Sequence, residues 1–263
     1  MRFFDILDIG EADLDILSPV SGEQLIKVGK YLDVNSQSRI IDFGCGKGEL
    51  LALWGQHFSI SGLGIDIRKS CVARASQRIA QENQSDRITI IEGKATDIIP
   101  EHGQYDYAVC IAASYAWEGY RNAIAGMREF LKPDGKIVIG EPYWIREQLL
   151  QNHCEKEPFF TEPELLAISQ EEGFDFEYMF RANRDDIDNY EAKHWQGFLR
   201  WIEANPDHPE RNQIIEHLHK NQREYFEFDR DNLGWAIYIL NPVKYHQVQK
   251  RKHTSIISEA LAS

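Results

Sequence analysis

The chain has 263 residues, with 42 acidic side chains against 29 basic ones and a formal net charge of −13. Neutralisation of phosphates dominates nucleic-acid affinity, so this charge disfavours DNA or RNA as a partner. No stretch approaches the roughly 20 apolar residues of a membrane-spanning helix, and residues 1–16 are too acidic for a signal peptide. We therefore expect a cytoplasmic protein with one substantial core and neither a nucleic-acid nor a membrane partner.

The most informative stretch is residues 40–48, which read IIDFGCGKG. An apolar pair ends in Asp42 and runs into three alternating glycines, Gly44, Gly46 and Gly48, and apolar residues at helical spacing follow. Glycine allows backbone angles that other residues avoid and lets a ligand approach the main chain closely. The pattern predicts a strand, a tight loop and a helix that open a doubly wound α/β domain.

The loop does not fit the common phosphate-binding patterns. A dinucleotide fingerprint would need glycine where Glu49 stands, and the phosphate-cradling lysine motif is absent. The carboxylate of Asp42 would repel a pyrophosphate but suits a cationic group. The D-x-G-x-G-x-G form instead resembles the first motif of class I S-adenosylmethionine-dependent methyltransferases. The resemblance implies that Asp42, Gly44, Cys45 and Gly46 hold the methionine part of the cofactor; a structural turn in another nucleotide-binding fold is the alternative.

A second apolar strand, residues 60–67, ends in Asp66 about 20 residues past the loop. Cofactor domains of this architecture place a carboxylate there to accept hydrogen bonds from the ribose hydroxyls. We predict that Asp66 and the adjacent Ile67 bind the cofactor. The alternative is that Asp66 or Ser70 caps a helix over residues 71–83.

A third strand over residues 88–91 leads to the segment expected to hold adenine. Methyltransferases of this class usually have an acid that accepts the adenine amino group at the position of Lys94, and a lysine side chain accepts no hydrogen bond. We predict that the contacts around Lys94 fall to the amide of Ala95 or to Asp97. Asp97 is equally well explained as a turn residue.

A fourth strand over residues 105–113 should bring Ile111 and the residues up to Trp117 beneath the methionine part and the methyl group, because strand ends at this edge line the ligand crevice. A Pro-Asp-Gly turn at 133–135 precedes a fifth strand over residues 136–140. The run LKPDGKIVI is again typical of these methyltransferases. Four ordered motifs thus cover residues 38 to about 145.

The sequence of the C-terminal half predicts one more helix, two more strands and a helical insertion between those strands. Thr161 and Glu164 form a capping-box pattern for a helix over 162–172, and strands are expected at 174–180 and 234–240. Between those strands lies a polar and aromatic helical insertion over 185–226. We interpret it as a lid over the acceptor site; aromatic residues that only dock the insertion on the sheet, or a dimer contact, are the alternatives.

The whole chain resembles one group of bacterial class I methyltransferases whose substrates are largely unassigned. The segments that carry this likeness are Arg39–Leu51, Glu141–Trp144, Tyr190-Glu191, Arg200–Pro206 and Gly234-Trp235. The resemblance implies a seven-stranded, mostly parallel sheet with a helical insertion between the last two strands. The expected divisions are an N-terminal helical segment (1–36), a cofactor-binding Rossmann-like core (37–183), a cap (184–230) and the last strand with a tail (231–263).

Candidate residues for chemistry follow the fifth strand and the cap. Glu141 is placed to orient or deprotonate an amine, hydroxyl or thiol, unless it only bonds to loop amides. Aromatic faces stabilise positive charge, and the candidates are Tyr115 and Trp117 near the methyl group, and Tyr143 and Trp144 for substrate. In the cap we predict that Tyr190 and His194 bind substrate; a solvent-facing helix histidine is the alternative for His194.

The remaining side chains do not indicate a metal. The four cysteines show no C-x-x-C spacing, and His217 and His219 are two apart, so they point to different sides of a helix. We therefore predict a methyltransferase that uses S-adenosyl-L-methionine and no metal on a small-molecule acceptor. The alternatives are a non-catalytic regulatory protein that binds the same cofactor, which Lys94 favours, and a dinucleotide-dependent oxidoreductase, which Asp42 and Glu49 disfavour. Neither the methylated atom nor the oligomeric state is indicated.

Overall fold

A computed structural model describes residues 1–99, 103–145 and 159–243. Its centre is a seven-stranded sheet in the order β3-β2-β1-β4-β5-β7-β6, in which β7 is antiparallel to both of its neighbours and the other neighbouring pairs are parallel. The strands are β1 (Arg39–Phe43), β2 (Ser61–Asp66), β3 (Ile88–Glu92), β4 (Tyr105–Ile111), β5 (Leu131–Trp144), β6 (Phe174–Arg181) and β7 (Leu233–Pro242). The predicted fold class is confirmed.

Helices cover both faces of this sheet, as a parallel sheet requires. They are α1 (Phe3–Gly10), α2 (Gly22–Tyr31), α3 (Glu49–Phe58), α4 (Lys69–Gln81), α5 (Tyr120–Arg128) and α6 (Glu162–Glu171), with α7 (Arg184–Ala204) and α8 (Arg211–Glu224) between β6 and β7. Short 3₁₀ turns lie at Ala95–Asp97 and Ser114–Trp117, and a π-helical turn at Tyr225–Asp229 follows α8.

The core has two layers because successive side chains of a strand point to opposite faces. On β1, Ile41 and Phe43 join one buried cluster and Ile40 joins the other. The first layer packs under α5 and α6, and the second under α2 and α3, where the Trp54 indole donates to the Leu25 carbonyl at 2.8 Å. This double burial explains why the strands read as continuous apolar runs.

Several predicted boundaries are corrected. The Pro-Asp-Gly segment does not precede β5 but forms a bulge within it: Tyr105 pairs with Leu131, and Tyr107 already pairs with Lys136. The helix expected at 71–83 begins two residues earlier as α4, and its N-cap is Arg68 without a side-chain cap bond. The capping box predicted at Thr161 and Glu164 is present.

The helices between β6 and β7 form a hairpin, which we call the cap (residues 184–232). Its small core contains Phe198, Ile202, Ile214 and Leu218, and Ile6 and Ile9 of α1 pack against it. The backbone of α1 approaches α7 so closely that a Cβ at Gly197 would lie 2.5 Å from the Gly10 carbonyl oxygen. The N-terminal helix therefore joins the cap to the rest of the molecule.

Candidate active site

The glycine loop between β1 and α3 has a backbone conformation that depends on its glycines. Gly44, Gly46 and Gly48 all have positive φ angles, at 72°, 52° and 76°. A Cβ at Gly44 would lie 2.3 Å from the Cβ of Ala113, and one at Gly48 would lie 2.9 Å from the Cβ of Ala75. Both the angles and the close packing exclude side chains at these positions.

Asp66 organises this loop from the end of β2. One carboxylate oxygen accepts the Gly46 amide and the other accepts the Arg68 amide, both at 2.8 Å. The side chain is only 7% exposed. Asp66 therefore binds the loop itself, and the carboxylate has further lone pairs for a ligand hydroxyl. The predicted contact with ribose stays a prediction, whereas the alternative that Asp66 or Ser70 caps α4 is wrong.

Asp42 is a buried carboxyl at the start of the glycine loop. Asp42 is 4% exposed, and burial together with the charge of Asp66 raises its pKa to about 8. Desolvation disfavours the charged carboxylate, and a nearby positive charge reverses that preference. A ligand that brings an ammonium or a sulfonium to this place fits the donor set, whereas a phosphate does not.

A cavity of about 50 Å³ lies beside Asp42 and the glycine loop. Its lining combines the loop with residues from the N-terminal segment and the end of β4: Asp15, Ile16, Leu17, Ser18, Leu25, Asp42, Gly44, Cys45, Gly46, Lys47, Glu49, Leu50 and Ile111. The predicted residues Asp42, Gly44, Cys45, Gly46 and Ile111 are thus brought together. The N-terminal contribution carried no recognisable signal in the sequence.

The predicted ribose and adenine residues lie farther along the same edge. Ile67 is an apolar side chain with 42% exposure directly after Asp66. Ala95 is buried at the start of its 3₁₀ turn, and Lys94 and Asp97 on either side are exposed. The Gly93 amide donates to the Asp66 carbonyl at 3.0 Å, which joins the adenine segment to the ribose segment.

We call residues 11–19 the strap, since they run over the glycine loop. Lys47, a loop residue, is buried and donates from Nζ to the carbonyls of Glu11, Ala12 and Leu14, at 2.6, 3.3 and 2.7 Å. Arg68 forms an ion pair with Glu11 at 2.6 Å. The loop that is expected to hold the cofactor therefore also holds the strap and, through α1, the cap.

A second cavity of about 770 Å³ opens beside the first. It lies between the carboxyl edge of β4 and β5, the start of α5, the strap and the cap. Ser18 lines both cavities, and the end of β4 gives Ile111 to the small one and Ala112 to the large one. Tyr115 lines the large cavity and is 62% exposed.

Glu141 is the most unusual side chain of the large cavity. It is 8% exposed at the end of β5, and the hydroxyl and amide of Ser114 donate to its carboxylate. Its Oε1 is shielded from solvent and has no hydrogen-bond partner among the described residues. Burial raises the pKa of Glu141 to about 8. A carboxylate in this state accepts either a proton or a cation.

The cap adds a second, half-buried acid that the sequence predictions did not select. Glu191 on α7 lines the cavity beside Tyr190, and burial with the charge of Asp229 raises its pKa to about 7. Asp229 and Tyr225 reach the cavity from the π-helical turn, a type of turn that often occurs at functional sites. The pair Tyr190-Glu191 was part of the family likeness, and that was the available signal for Glu191.

Four of the residues predicted for catalysis or substrate binding do not line this cavity. Trp117 packs its ring at 4.9 Å from Phe43 in the core, so the predicted position near the methyl group is corrected. Tyr143 accepts a hydrogen bond from Arg181, and Trp144 packs between Phe159 and Phe228. Among the described residues of β5, only Glu141 and Pro142 belong to the cavity wall.

His194 is the fourth. Its Nδ1 lies 3.2 Å from the Tyr190 carbonyl oxygen, and it packs against α1, where a Cβ at Gly10 would lie 3.3 Å from its ring. Burial lowers the pKa of His194 to about 4, so the imidazole is neutral. It is neither a cavity residue nor the solvent-facing histidine of the alternative, but part of the contact between α1 and the cap.

Comparison with known proteins places these features in a family. Residues 40–135 match a family model described as a methyltransferase domain. The protein YjhP of Escherichia coli is 30% identical over 241 residues, which cover 89% of this chain and 97% of that protein. Its crystal structure superposes with a TM-score of 0.83.

Two solved structures extend the likeness to the cofactor. A methyltransferase from Geobacter sulfurreducens in complex with S-adenosyl-L-homocysteine is 32% identical, with 90% of this chain and 98% of that chain covered and a TM-score of 0.83. One from Thiobacillus denitrificans with the same ligand is 29% identical, with 92% and 100% covered and a TM-score of 0.83. The chain belongs to the class I S-adenosylmethionine-dependent methyltransferases, and its cofactor is S-adenosyl-L-methionine. The predicted family, enzyme class and cofactor are confirmed.

Two observations bear on other partners. None of the helices in the described ranges 1–99, 103–145 and 159–243 has the length and apolar character to cross a membrane. Within the same ranges, no group of three or more histidine, cysteine, aspartate or glutamate side chains is arranged to hold a metal ion. Cys45, Cys71 and Cys110 are free and buried, whereas Cys154 lies outside the described residues.

Proposed function

We propose that this methyltransferase acts on a small-molecule acceptor, which binds in the 770 Å³ cavity and receives the methyl group in line from the neighbouring cofactor site. The observation that carries the proposal is the shared boundary of the two cavities at Ser18 and the end of β4. When bound, the cofactor supplies an activated methyl group on a sulfonium. The protein must then align an acceptor and exclude water.

The size and cover of the cavity support a small acceptor. Small-molecule sites usually have volumes of roughly 300–1,000 Å³ and mainly apolar walls with few polar groups. Here Phe160, Leu165 and Trp235 contribute apolar wall, and the cap closes one side through Ile187 and Tyr190. We retain the interpretation of the cap as a lid, since it contributes wall residues to the acceptor cavity as well as packing on α1.

The proposed roles within the cofactor site follow the geometry of the loop. Asp42 and the amides of the loop hold the amino-acid end, Asp66 holds the ribose hydroxyls, and Ile67 with the Ala95–Asp97 turn holds the adenine. Tyr115, which lines the large cavity, is assigned to the sulfonium, because an aromatic face favours positive charge. We further propose a cytoplasmic location, in keeping with the three free, buried cysteines Cys45, Cys71 and Cys110.

Calorimetric titration with S-adenosyl-L-homocysteine tests the cofactor roles. Asp66→Ala should weaken binding by about tenfold or more, equivalent to about 1.4 kcal/mol per factor of ten. Asp175→Ala, which removes a solvent-exposed aspartate from β6, is the matched control and should leave affinity unchanged. Equal affinities in the two variants would contradict the assignment of Asp66.

The class of acceptor is tested separately. The protein is incubated with S-adenosyl-L-methionine and with either the low-molecular-weight filtrate or the macromolecular fraction of a cell extract, and S-adenosyl-L-homocysteine formation is followed. The proposal predicts turnover that depends on the filtrate. Turnover that depends only on the macromolecular fraction would overturn it.

A further inference from the structure

The charged residues of the large cavity are mostly acidic. Its described lining contains four carboxyl side chains, Glu118, Glu141, Glu191 and Asp229, and a single guanidinium, Arg121. That guanidinium is already engaged outside the cavity, since Arg121 pairs with Glu171 at 2.6 Å and with Glu172 at 3.0 Å on α6. An anionic acceptor would therefore meet like charge, whereas a cation would meet opposite charge.

Glu141 supplies the second observation, which points to a ligand rather than to general acidity. The side chain is 8% exposed, and its Oε1 has no hydrogen-bond partner among the described residues although it is shielded from solvent. Buried polar atoms without a partner are rare in folded proteins and costly. An acceptor with an N–H group would provide the missing donor, and a carboxylate, ether or carbonyl acceptor would not.

Glu191 faces the same space from the cap, so the two acids come from structurally independent elements, β5 and α7. Aromatic side chains complete the wall: Tyr115, Tyr120, Tyr190, Phe160, Tyr225 and Trp235. Acidic groups combined with aromatic faces are the usual surroundings of ammonium groups in proteins. A hydroxyl acceptor would need a base but would not need a second carboxylate or an aromatic enclosure.

We propose that the acceptor is an amine, bound as a cation between Glu141 and Glu191 and deprotonated by the carboxylate of Glu141. This inference rests on the proposed function and names its substrate class. In the reaction the N–H proton passes to a carboxylate oxygen of Glu141, and the freed nitrogen lone pair forms the N–CH₃ bond. The methyl–sulfur bond breaks with its electron pair left on sulfur, which yields the methylated amine and S-adenosyl-L-homocysteine, and the proton leaves to solvent.

The surroundings of Glu141 suit both the binding of a cationic amine and its deprotonation. Ser114 donates to its carboxylate, Cys110 and Tyr120 lie near it on the protein side, and Glu191 and Asp229 face the same cavity. Burial raises the pKa of Glu141 to about 8 and that of Glu191 to about 7. A bound ammonium favours their charged forms, and a carboxyl that titrates near neutral pH is suited to accept the proton of an amine.

The test measures binding to protein saturated with S-adenosyl-L-homocysteine, so that it does not depend on turnover. The probes are small matched trios, each with a primary ammonium compound, its uncharged carbon isostere and a carboxylate of similar size, as in ethanolamine, 1-propanol and glycolate. Ligand-observed NMR should show that the ammonium member of at least one trio binds about tenfold or more tightly than its isostere, and that the carboxylates do not bind.

Variants locate the effect. Glu141→Gln and Glu191→Gln keep the shape of the side chain and should each reduce the preference for the ammonium member at least about tenfold. Glu23→Gln removes one acid from the exposed face of α2 and should change nothing. A melting temperature no lower than that of the unmodified protein and an unchanged affinity for S-adenosyl-L-homocysteine show that each variant is folded.

The proposal is overturned if isosteres or carboxylates bind as tightly as the ammonium compounds. It is also overturned if Glu141→Gln and Glu191→Gln leave the preference intact, or if no ammonium compound binds to a protein that binds S-adenosyl-L-homocysteine. Failure to bind S-adenosyl-L-homocysteine is a different result, since it would overturn the cofactor roles under the proposed function.

Discussion

The cofactor loop and the acceptor cavity differ in how their parts are distributed along the chain. The loop takes its shape from residues 42–48 and one carboxylate, Asp66, and the positive φ angles of its glycines are local requirements. The cavity takes its wall from the strap, β4, β5, α5 and the cap, more than 200 positions apart at the extremes, from Ser18 to Trp235. A short stretch of sequence therefore determines the shape of the proposed cofactor site, whereas packing between distant segments determines the shape of the proposed acceptor cavity.

The strap connects the two regions. Lys47 belongs to the glycine loop yet uses its ammonium to bind three carbonyls of the strap, and α1 beyond the strap packs against α7. A change in the loop is thus expected to reach the cap, while a change in the cavity wall is not expected to reach the loop. The following predictions test that asymmetry.

The largest effect should come from the loop backbone. Gly44→Ala places a Cβ 2.3 Å from that of Ala113 at a φ of +72°, so the loop must move. We expect a loss of about 100-fold or more in affinity for S-adenosyl-L-homocysteine, measured by calorimetry. Gly22→Ala, the same change at the first residue of α2, is the control; similar losses in both variants would mean that the loop geometry is not the cause.

Crossed titrations of two carboxylate variants should give a smaller but more diagnostic result. Asp66→Ala should weaken S-adenosyl-L-homocysteine by about tenfold, whereas Glu141→Gln should leave it within about twofold. In protein saturated with S-adenosyl-L-homocysteine, Glu141→Gln should weaken binding of the ammonium probes more than Asp66→Ala does. Parallel losses of both ligands in both variants would remove the distinction between the two regions.

Lys47→Met should loosen the strap. The substitution leaves three backbone carbonyls without the charged donor that they share, and hydrogen bonds to charged groups contribute about 1.5–3 kcal/mol each at most. We expect faster amide hydrogen exchange in residues 11–19, with the sheet unchanged, and a few-fold faster release of S-adenosyl-L-homocysteine. Exchange that is faster in β1 and β4 as well would show that Lys47 supports the core instead.

The smallest effect concerns pH. The pKa of Asp42 is raised in the folded chain to about 8, from an unfolded value near 3.8. The folded protein therefore keeps a proton that the unfolded chain loses, so this contribution to stability is complete below about pH 4 and declines as the pH rises to about 8.

Asp42→Asn removes that dependence. Without ligand, the melting temperature of the variant should fall less than that of the unmodified protein between about pH 5 and about pH 8. Glu141 and Glu191 carry raised pKa values too, so part of the decline should remain. An identical decline in both proteins would show that Asp42 does not titrate in this range.

The same division explains what the sequence could predict. The glycine loop, the position of Asp66 at the end of β2 and the helical insertion depend on short motifs or on periodicity, and they were predictable. The seven-stranded sheet followed from the resemblance to the family. Trp117, Tyr143 and Trp144 were assigned to the site by their distance from strand ends, but all three rings are buried away from the large cavity. Trp117 and Tyr143 belong to a core cluster, and Trp144 packs between Phe159 and Phe228. Glu191 and the strap were missed because their positions depend on how α7 and α1 pack together.

Identifying the methylated product tests whether the acceptor is an amine. The protein is incubated with a small-molecule extract and cofactor that carries a trideuterated methyl group, and the labelled product is identified by mass spectrometry after cation exchange. We predict that the label enters a compound retained as a cation, and that Glu141→Gln abolishes this transfer while it still binds S-adenosyl-L-homocysteine. Label found only in neutral or anionic compounds would contradict an amine acceptor, and transfer unaffected by Glu141→Gln would contradict the role of Glu141.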